Sequence, residues 1–163
     1  MKMTKAFTMI ELIYVIVVLG ILGTIALPKF AGVRDQADIA NGRAQIATIR
    51  TAIANERQRR LIMGQSNYIA YNAIDNASGL FGGVLTTGLV DSPTASNWTA
   101  NGDNGANATY YQYFVGNTAI NFVYADTNGT YLGVPFDSGE FNCDENGVVV
   151  GAAERDLCRD LVQ

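Results

Sequence analysis

Glu11 is the one charged residue among the 21 positions from Phe7 to Leu27, a stretch otherwise built of apolar, glycine and small hydroxyl residues. A carboxylate there has one kind of chemistry open to it, ion pairing. An ionised acid inside a spanning helix costs roughly 2.5–3.5 kcal/mol on insertion scales, so it calls for a partner, and no other residue of the stretch can supply one. The bland alternative is that Glu11 snorkels to the headgroups and marks the membrane edge. The second pair with chemistry is Cys143 and Cys158, separated by 14 residues near the C-terminus. With no His anywhere in the chain, two thiolates leave a zinc site short of ligands, and no His-based general base exists. No phosphate loop, nucleophile elbow or metal-ligand cluster stands in the sequence, and the acids are too scattered to nominate a catalytic pair. The reading is of a protein that is not an enzyme, with no metal and no cofactor.

The element that positions Glu11 is a helix. Twenty-one residues at 1.5 Å each reach about 31 Å, the thickness of a bilayer's hydrocarbon core. Lys2 and Lys5 precede it, which keeps the short N-terminus cytoplasmic and sends the rest outward. Downstream, Ile39, Ile46, Ile49 and Ile53 fall at spacings of seven, three and four and form one narrow seam. Six alanines between 37 and 54 add propensity and closely packable surface. This stem helix is expected to run over 29–63 and stop at Gly64, its lower part packing on other helices and its upper part on its own head. A wholly intramolecular amphipathic helix is the alternative. Pro28 is expected to kink the transition, and Gly20 and Gly23 to weaken the same stretch.

The run Lys5-Ala6-Phe7-Thr8-Met9-Ile10-Glu11-Leu12, with Gly20 and Pro28 at their spacings, resembles the N-terminal signature of type IV pilins and of the pseudopilins of type II secretion and competence systems. The likeness covers residues 5 to 28. It implies a leader of residues 1–6, cut by a membrane-embedded prepilin peptidase between Ala6 and Phe7, followed by N-methylation of Phe7. Most family members carry Gly before the cut where this chain has Ala6. The resemblance further implies that the helix between Gly20 and Pro28 can partly unwind when the subunit leaves the bilayer for a filament. Its implied partners are other copies of the chain or other pilins in a helical filament, the peptidase, and an assembly platform with its ATPase. The implied location is the inner membrane, single-pass, before assembly, and a periplasmic or extracellular filament afterwards. Cutting before Phe7 would expose a new ammonium one helical turn from Glu11. If helices stack with an axial offset, the Glu11 carboxylate of one meets the Phe7 amine of the next, neutralising two charges that lipid disfavours.

A rival reading takes residues 1–26 as a secretory signal, with Lys2 and Lys5 as its basic region, 12–22 as its apolar region and a cut after Ala26. The protein would then be a secreted binding module. Glu11 beside the apolar region, and a helical pattern continuing past Ala26, count against it.

A chain of 163 residues leaves room for one globular domain beyond the membrane helix of 7–28. Charge divides along it. Residues 29–63 carry seven basic against three acidic side chains, and 64–163 carry two basic against eleven acidic ones. A basic stem below an acidic head would favour packing head over stem, though solvated faces account for it equally. The acidic head argues against a nucleic-acid contact of its own. Residues 64–109, rich in Gly, Asn, Ser, Ala and Thr, read as a long variable loop with one short helix near 78–89.

From 110 the pattern turns to strands: 110–115, 120–125 and 130–134, with Asn128-Gly129 and Asn146-Gly147 as hairpin signals, the second before a strand at 148–150. The meander of 110–150 is expected to lay one face on the upper stem helix, giving an α+β head. The Tyr-rich runs are read as strand-packing aromatics rather than an adhesive or conducting surface. Outside the cell Cys143 and Cys158 are expected to join, closing a loop over 143–158 worth about 3 kcal/mol in the chain-entropy model. That loop is similar to the C-terminal disulfide loop of many type IV pilins, and with no evident calcium loop it leans toward pilin over pseudopilin. The acidic turns at 126–129 and 144–147 are read as plain turns rather than calcium sites. Four Asn-x-Ser/Thr triplets occur, at Asn76, Asn97, Asn107 and Asn128, and the last, with Asp126 two residues before it, also resembles the extended bacterial glycosylation pattern.

Overall fold

A computed structural model of the chain describes the backbone of residues 7–103, 107–131, 134–143 and 151–163. The leader of 1–6, the acidic turn at 144–147 and the strand expected at 148–150 lie outside the described residues. The chain divides into two compact units, residues 1–36 and 37–163.

Helix α1 spans Met9–Ile62, 54 residues, one element across Pro28. Its start is chemical: the Thr8 hydroxyl oxygen accepts the Glu11 N–H at 3.3 Å, satisfying one of the orphan donors of the first turn. Its end is conformational. Gly64 takes φ of +79°, its N–H reaches the Leu61 carbonyl at 3.0 Å, and the Gln65 N–H reaches that of Arg60 at 2.9 Å. That is a Schellman cap, which any side chain at Gly64 would strain. The stop at Gly64 is therefore where the sequence put it.

In the second unit a four-stranded antiparallel sheet runs in the order β1 (Trp98–Asp103), β2 (Ala108–Val115), β3 (Thr118–Ala125), β6 (Phe141–Cys143). Strands β4 (Gly129–Tyr131) and β5 (Val134–Phe136) form a separate two-stranded ribbon between β3 and β6. Helix α2, Ala152–Val162, closes the chain. Alternation along β2 and β3 sends Tyr111, Tyr113, Val115, Ile120, Phe122 and Tyr124 to one face, where they share a core with Ile39, Ile46, Ile49 and Ile53 of α1. The whole isoleucine seam is thus intramolecular from Ile39 upward, correcting the expectation that its lower part waits for other helices. The other face carries Ala108, Val123 and Ala125, which Phe136 of β5 covers.

Four further expectations need correction. No helix forms near 78–89, because Gly79 at φ +122° and Phe81 at φ +59° bend the chain into turns, and only a 3₁₀ turn, Tyr71–Ala73, is helical between α1 and β1. The loop of 64–109 instead ends in β1, whose Ala-Asn-Gly-Asp reads as a turn but is a strand with a register shift between Ala100 and Asp103. Asn128-Gly129 makes no hairpin of its flanking strands: β3 pairs with β6 and β4 with β5. The tight hairpin lies instead at Gly116-Asn117, between Val115 and Thr118. Finally, 143–158 is only in part a loop, since Cys158 belongs to α2.

Candidate assembly site

Thr8, as the cap, fixes where α1 begins, and this sets the geometry of the two residues singled out for assembly. Phe7 stands just outside the helix with its side chain 80% exposed. Glu11 lies in the first turn, where the unsatisfied N–H groups favour negative charge. Among the described residues no cation pairs with its carboxylate. Thr8-x-x-Glu11 is a capping-box spacing, a local signal that sequence reasoning passed over in favour of the membrane argument.

From Leu12 to Ala26 the helix carries no charge and is apolar on every side. The window Met9–Ala26 has mean hydropathy 2.4 and none of it is buried. It is long and apolar enough to cross a membrane. Of the two hydroxyl side chains in it, Tyr14 and Thr24, the second is satisfied internally, donating to the Ile21 carbonyl at 2.8 Å. At Gly20 and Gly23 a Cβ would meet nothing within 4 Å, so both are open notches. Pro28 falls inside the helical span.

The head is held to its stretch of α1 by polar ties as well as by the isoleucine seam. Asp38, 8% exposed, accepts the Gly116 N–H at 3.0 Å and the Ser96 hydroxyl, while its carbonyl accepts the Tyr113 hydroxyl at 2.6 Å. Gln45 accepts the Trp98 indole N–H at 2.6 Å, and Arg50 donates to the Phe141 carbonyl and the Asn142 side chain, each at 3.0 Å. Sequence reasoning missed all three, because a polar residue on a helix gives no sign of which loop will fold back onto it. Under the sheet, Phe81, Trp98, Tyr111, Tyr113, Phe122 and Phe141 form one aromatic cluster, Phe81 stacking on Tyr111 at 4.3 Å. The strand-packing reading of Tyr111, Tyr113 and Tyr124 therefore holds. Burial pushes the Tyr111 phenol well above its ordinary value, so it stays a donor to Asp75, at 2.9 Å.

Cys143 and Cys158 are joined, Cα to Cα 6.0 Å, and both are buried. The bond fastens β6 to α2. Helix α2 adds Leu161 to the core, and the Arg43 guanidinium of α1 donates to the Asp160 carbonyl near its end. The Leu157-Cys158-Leu161 spacing was its missed signal, helped by Glu154, whose carboxylate accepts the Gly151 N–H at 3.3 Å. Asp126 accepts the Tyr71 N–H at 3.1 Å, so that acid braces the connection after α1.

Comparison with known proteins gives two matches of note. The chain is 52% identical over 50 residues to the type IV narrow pilus major component PilA5 of Thermus thermophilus, covering 31% of this chain and 43% of that one. It is 30% identical over 82 residues to a fimbrial protein of Moraxella nonliquefaciens, covering 50% of this chain and 53% of that one. The chain thus spans about half the length of the relatives it matches. No family model matches it, and no solved structure does so significantly. An unburied apolar N-terminal helix, an antiparallel sheet laid on the later part of that helix, a C-terminal disulfide and these two likenesses support assigning the chain to the type IV pilin family.

Proposed function

We propose that the chain is a structural, non-enzymatic subunit of a type IV pilus-like filament, anchored in the inner membrane by residues 7–28 before assembly. The observation that carries this reading is the combination at the start of α1: an exposed apolar surface with one carboxylate, Glu11, that nothing among the described residues neutralises. In the bilayer that carboxylate is costly, by roughly 2.5–3.5 kcal/mol, and a neighbouring subunit's Phe7 ammonium would relieve the cost. A prepilin peptidase cutting between Ala6 and Phe7 and methylating Phe7 would supply that ammonium. Apolar flanks then pack helix on helix, with Gly20 and Gly23 admitting close approach and, together with Pro28, loosening the helix at the transfer from membrane to filament. Other pilins, the assembly platform and its ATPase are the partners this implies.

The test has two arms. Intact mass and N-terminal sequence of protein from membranes and from sheared surface material should show a chain beginning at methylated Phe7; a chain beginning at Leu27 would replace the filament reading with a secreted protein. Glu11→Ala should remove the subunit from filaments, at least tenfold by roughly the cost just given, while leaving it in the membrane. Normal incorporation of that variant would defeat the pairing of Phe7 with Glu11.

A further inference from the structure

Beyond filament assembly, we infer that Asn128 is a site of N-linked glycosylation. Of the four Asn-x-Ser/Thr triplets the fold closes three. The Asn76 Nδ2 donates to the Gly82 carbonyl at 2.6 Å, and its Oδ1 accepts the Ser78 hydroxyl, the very hydroxyl of its triplet. The Asn97 Nδ2 donates to the Thr94 hydroxyl oxygen at 2.9 Å, and the middle residue of that triplet, Trp98, is in the core. After Asn107, Thr109 is buried in β2 with its hydroxyl donating to the Tyr71 carbonyl at 2.7 Å.

Asn128 is open where those three are engaged; Asn76 and Ser78 are exposed as well, but their side chains are hydrogen-bonded to one another. Both Asn128 and Thr130 are exposed. Its Oδ1 accepts the Ser138 N–H at 2.8 Å, which holds the amide in place, and among the described residues its Nδ2 donates to nothing. Asp126, two residues earlier, marks this same triplet out from the other three, so sequence and fold select it independently. The asparagine also opens on a cleft of about 510 Å³ lined by Arg57, Arg60, Asn67 and Tyr68, whose N–H and O–H groups suit the hydroxyls of a first sugar.

The chemistry is a glycosyl transfer from a lipid-linked sugar pyrophosphate, catalysed by a membrane-bound transferase on the exported chain. The Asn128 Nδ2 attacks the anomeric carbon, and the new N–C bond replaces the C–O bond to pyrophosphate. The lipid pyrophosphate leaves with the electron pair and the amide proton passes to a base of the transferase. No oxidation state changes.

The experiment is peptide mass spectrometry on full-length protein from its native cells. The peptide containing Asn128 should carry an added sugar mass, with fragments placing it on that residue. Asn128→Gln and Thr130→Val should each lose the mass, Thr130→Ser should keep it, and Asp126→Asn, which retains an acceptor for Tyr71, should lose it. An Asn128 peptide found only at its unmodified mass, or sugar found on another asparagine or on a hydroxyl, overturns the inference. The same spectra read the N-terminus. A chain starting at Phe7 with a bare Asn128 defeats this inference alone, and a glycosylated chain missing from sheared filaments defeats the filament reading alone.

Discussion

Ile10, Ile13, Ile16, Ile21 and Ile25 are each more than half exposed, whereas Ile39, Ile46, Ile49 and Ile53 of the same helix are 5% exposed or less. Helix propensity is the same for both sets, and so is the hydrophobicity of the side chain. What differs is the neighbourhood. In the later set the intervening positions hold charged and polar residues among small alanines and a glycine, leaving a single seam of large apolar side chains that one sheet can cover. In the earlier set the intervening positions after Glu11 are Leu, Val, Tyr, two glycines and Thr24, so apolar surface goes all round and no single sheet face could bury it. Such a surface is satisfied by lipid or by several neighbouring helices. Region by region, then, α1 is a finished interior in the head and an unfinished one before it.

The sharpest way to break this comparison is to empty one position in each region. Trp98→Ala removes the centre of the aromatic cluster and should cost about 3–5 kcal/mol of head stability in urea unfolding followed by circular dichroism. Ile16→Ala in the same assay should stay within about 0.5 kcal/mol, its effect falling on filament yield instead. Equal losses from both variants would erase the distinction.

Next in size is the disulfide. Its sulfurs span 15 positions, so reduction, or Cys158→Ser, should lower head stability by about 3 kcal/mol and release α2 from β6. Unfolding midpoints that ignore reductant would show that packing of Leu161 alone holds α2 in place.

A glycine in each region sharpens the contrast further. A Cβ on Gly42 would sit 2.4 Å from Leu161 Cδ2 and 2.7 Å from Tyr113 Cε1, so Gly42→Ala should destabilise the head by about 1–3 kcal/mol. At Gly20 the same substitution meets nothing within 4 Å and should leave head unfolding unchanged while stiffening the helix. A filament that forms as well with Gly20→Ala would show that loosening at Gly20 is dispensable.

The smallest effect is a slope with pH inside the head. Burial raises the Asp75 carboxyl above its ordinary value, against the Phe81 N–H at 2.7 Å and the Tyr111 hydroxyl, which favour the ionised form. A folded value above the unfolded 3.8 favours the protonated head, so the stabilisation is complete below 3.8 and is lost as pH rises through the higher folded value. Relative to Asp75→Asn, the native head should therefore be more stable at pH 3 than at pH 7 when unfolding midpoints are compared. The opposite sign would mean that the two hydrogen bonds outweigh burial.

Legibility differed by kind of residue. The apolar span, the isoleucine seam, the Gly64 stop and the cysteine pair could all be read from the chain, because each depends on period, composition or a residue's own backbone preference. The strand at Trp98–Asp103 was hidden by turn-forming residues, whereas the pairing of 110–115 with 120–125 was expected from the meander with its tight turn at Gly116-Asn117 unnamed, and Asn128-Gly129 pointed to a pairing that does not form. A dipeptide can favour a turn but cannot choose which strand lies beside it.

For the candidate site the division follows the same physics. Glu11 in its apolar run and the apolar helix around it are properties of near neighbours in the chain, and the two cysteines are a property of composition, so the sequence alone determined them. Tertiary structure decided that the lower seam serves the chain's own head, that Asp38, Gln45 and Arg50 tie sheet to helix, and that Asn128 alone of four like triplets stays open. Each of those outcomes depends on groups 10 to 92 residues apart, which only the folded chain brings within hydrogen-bonding distance.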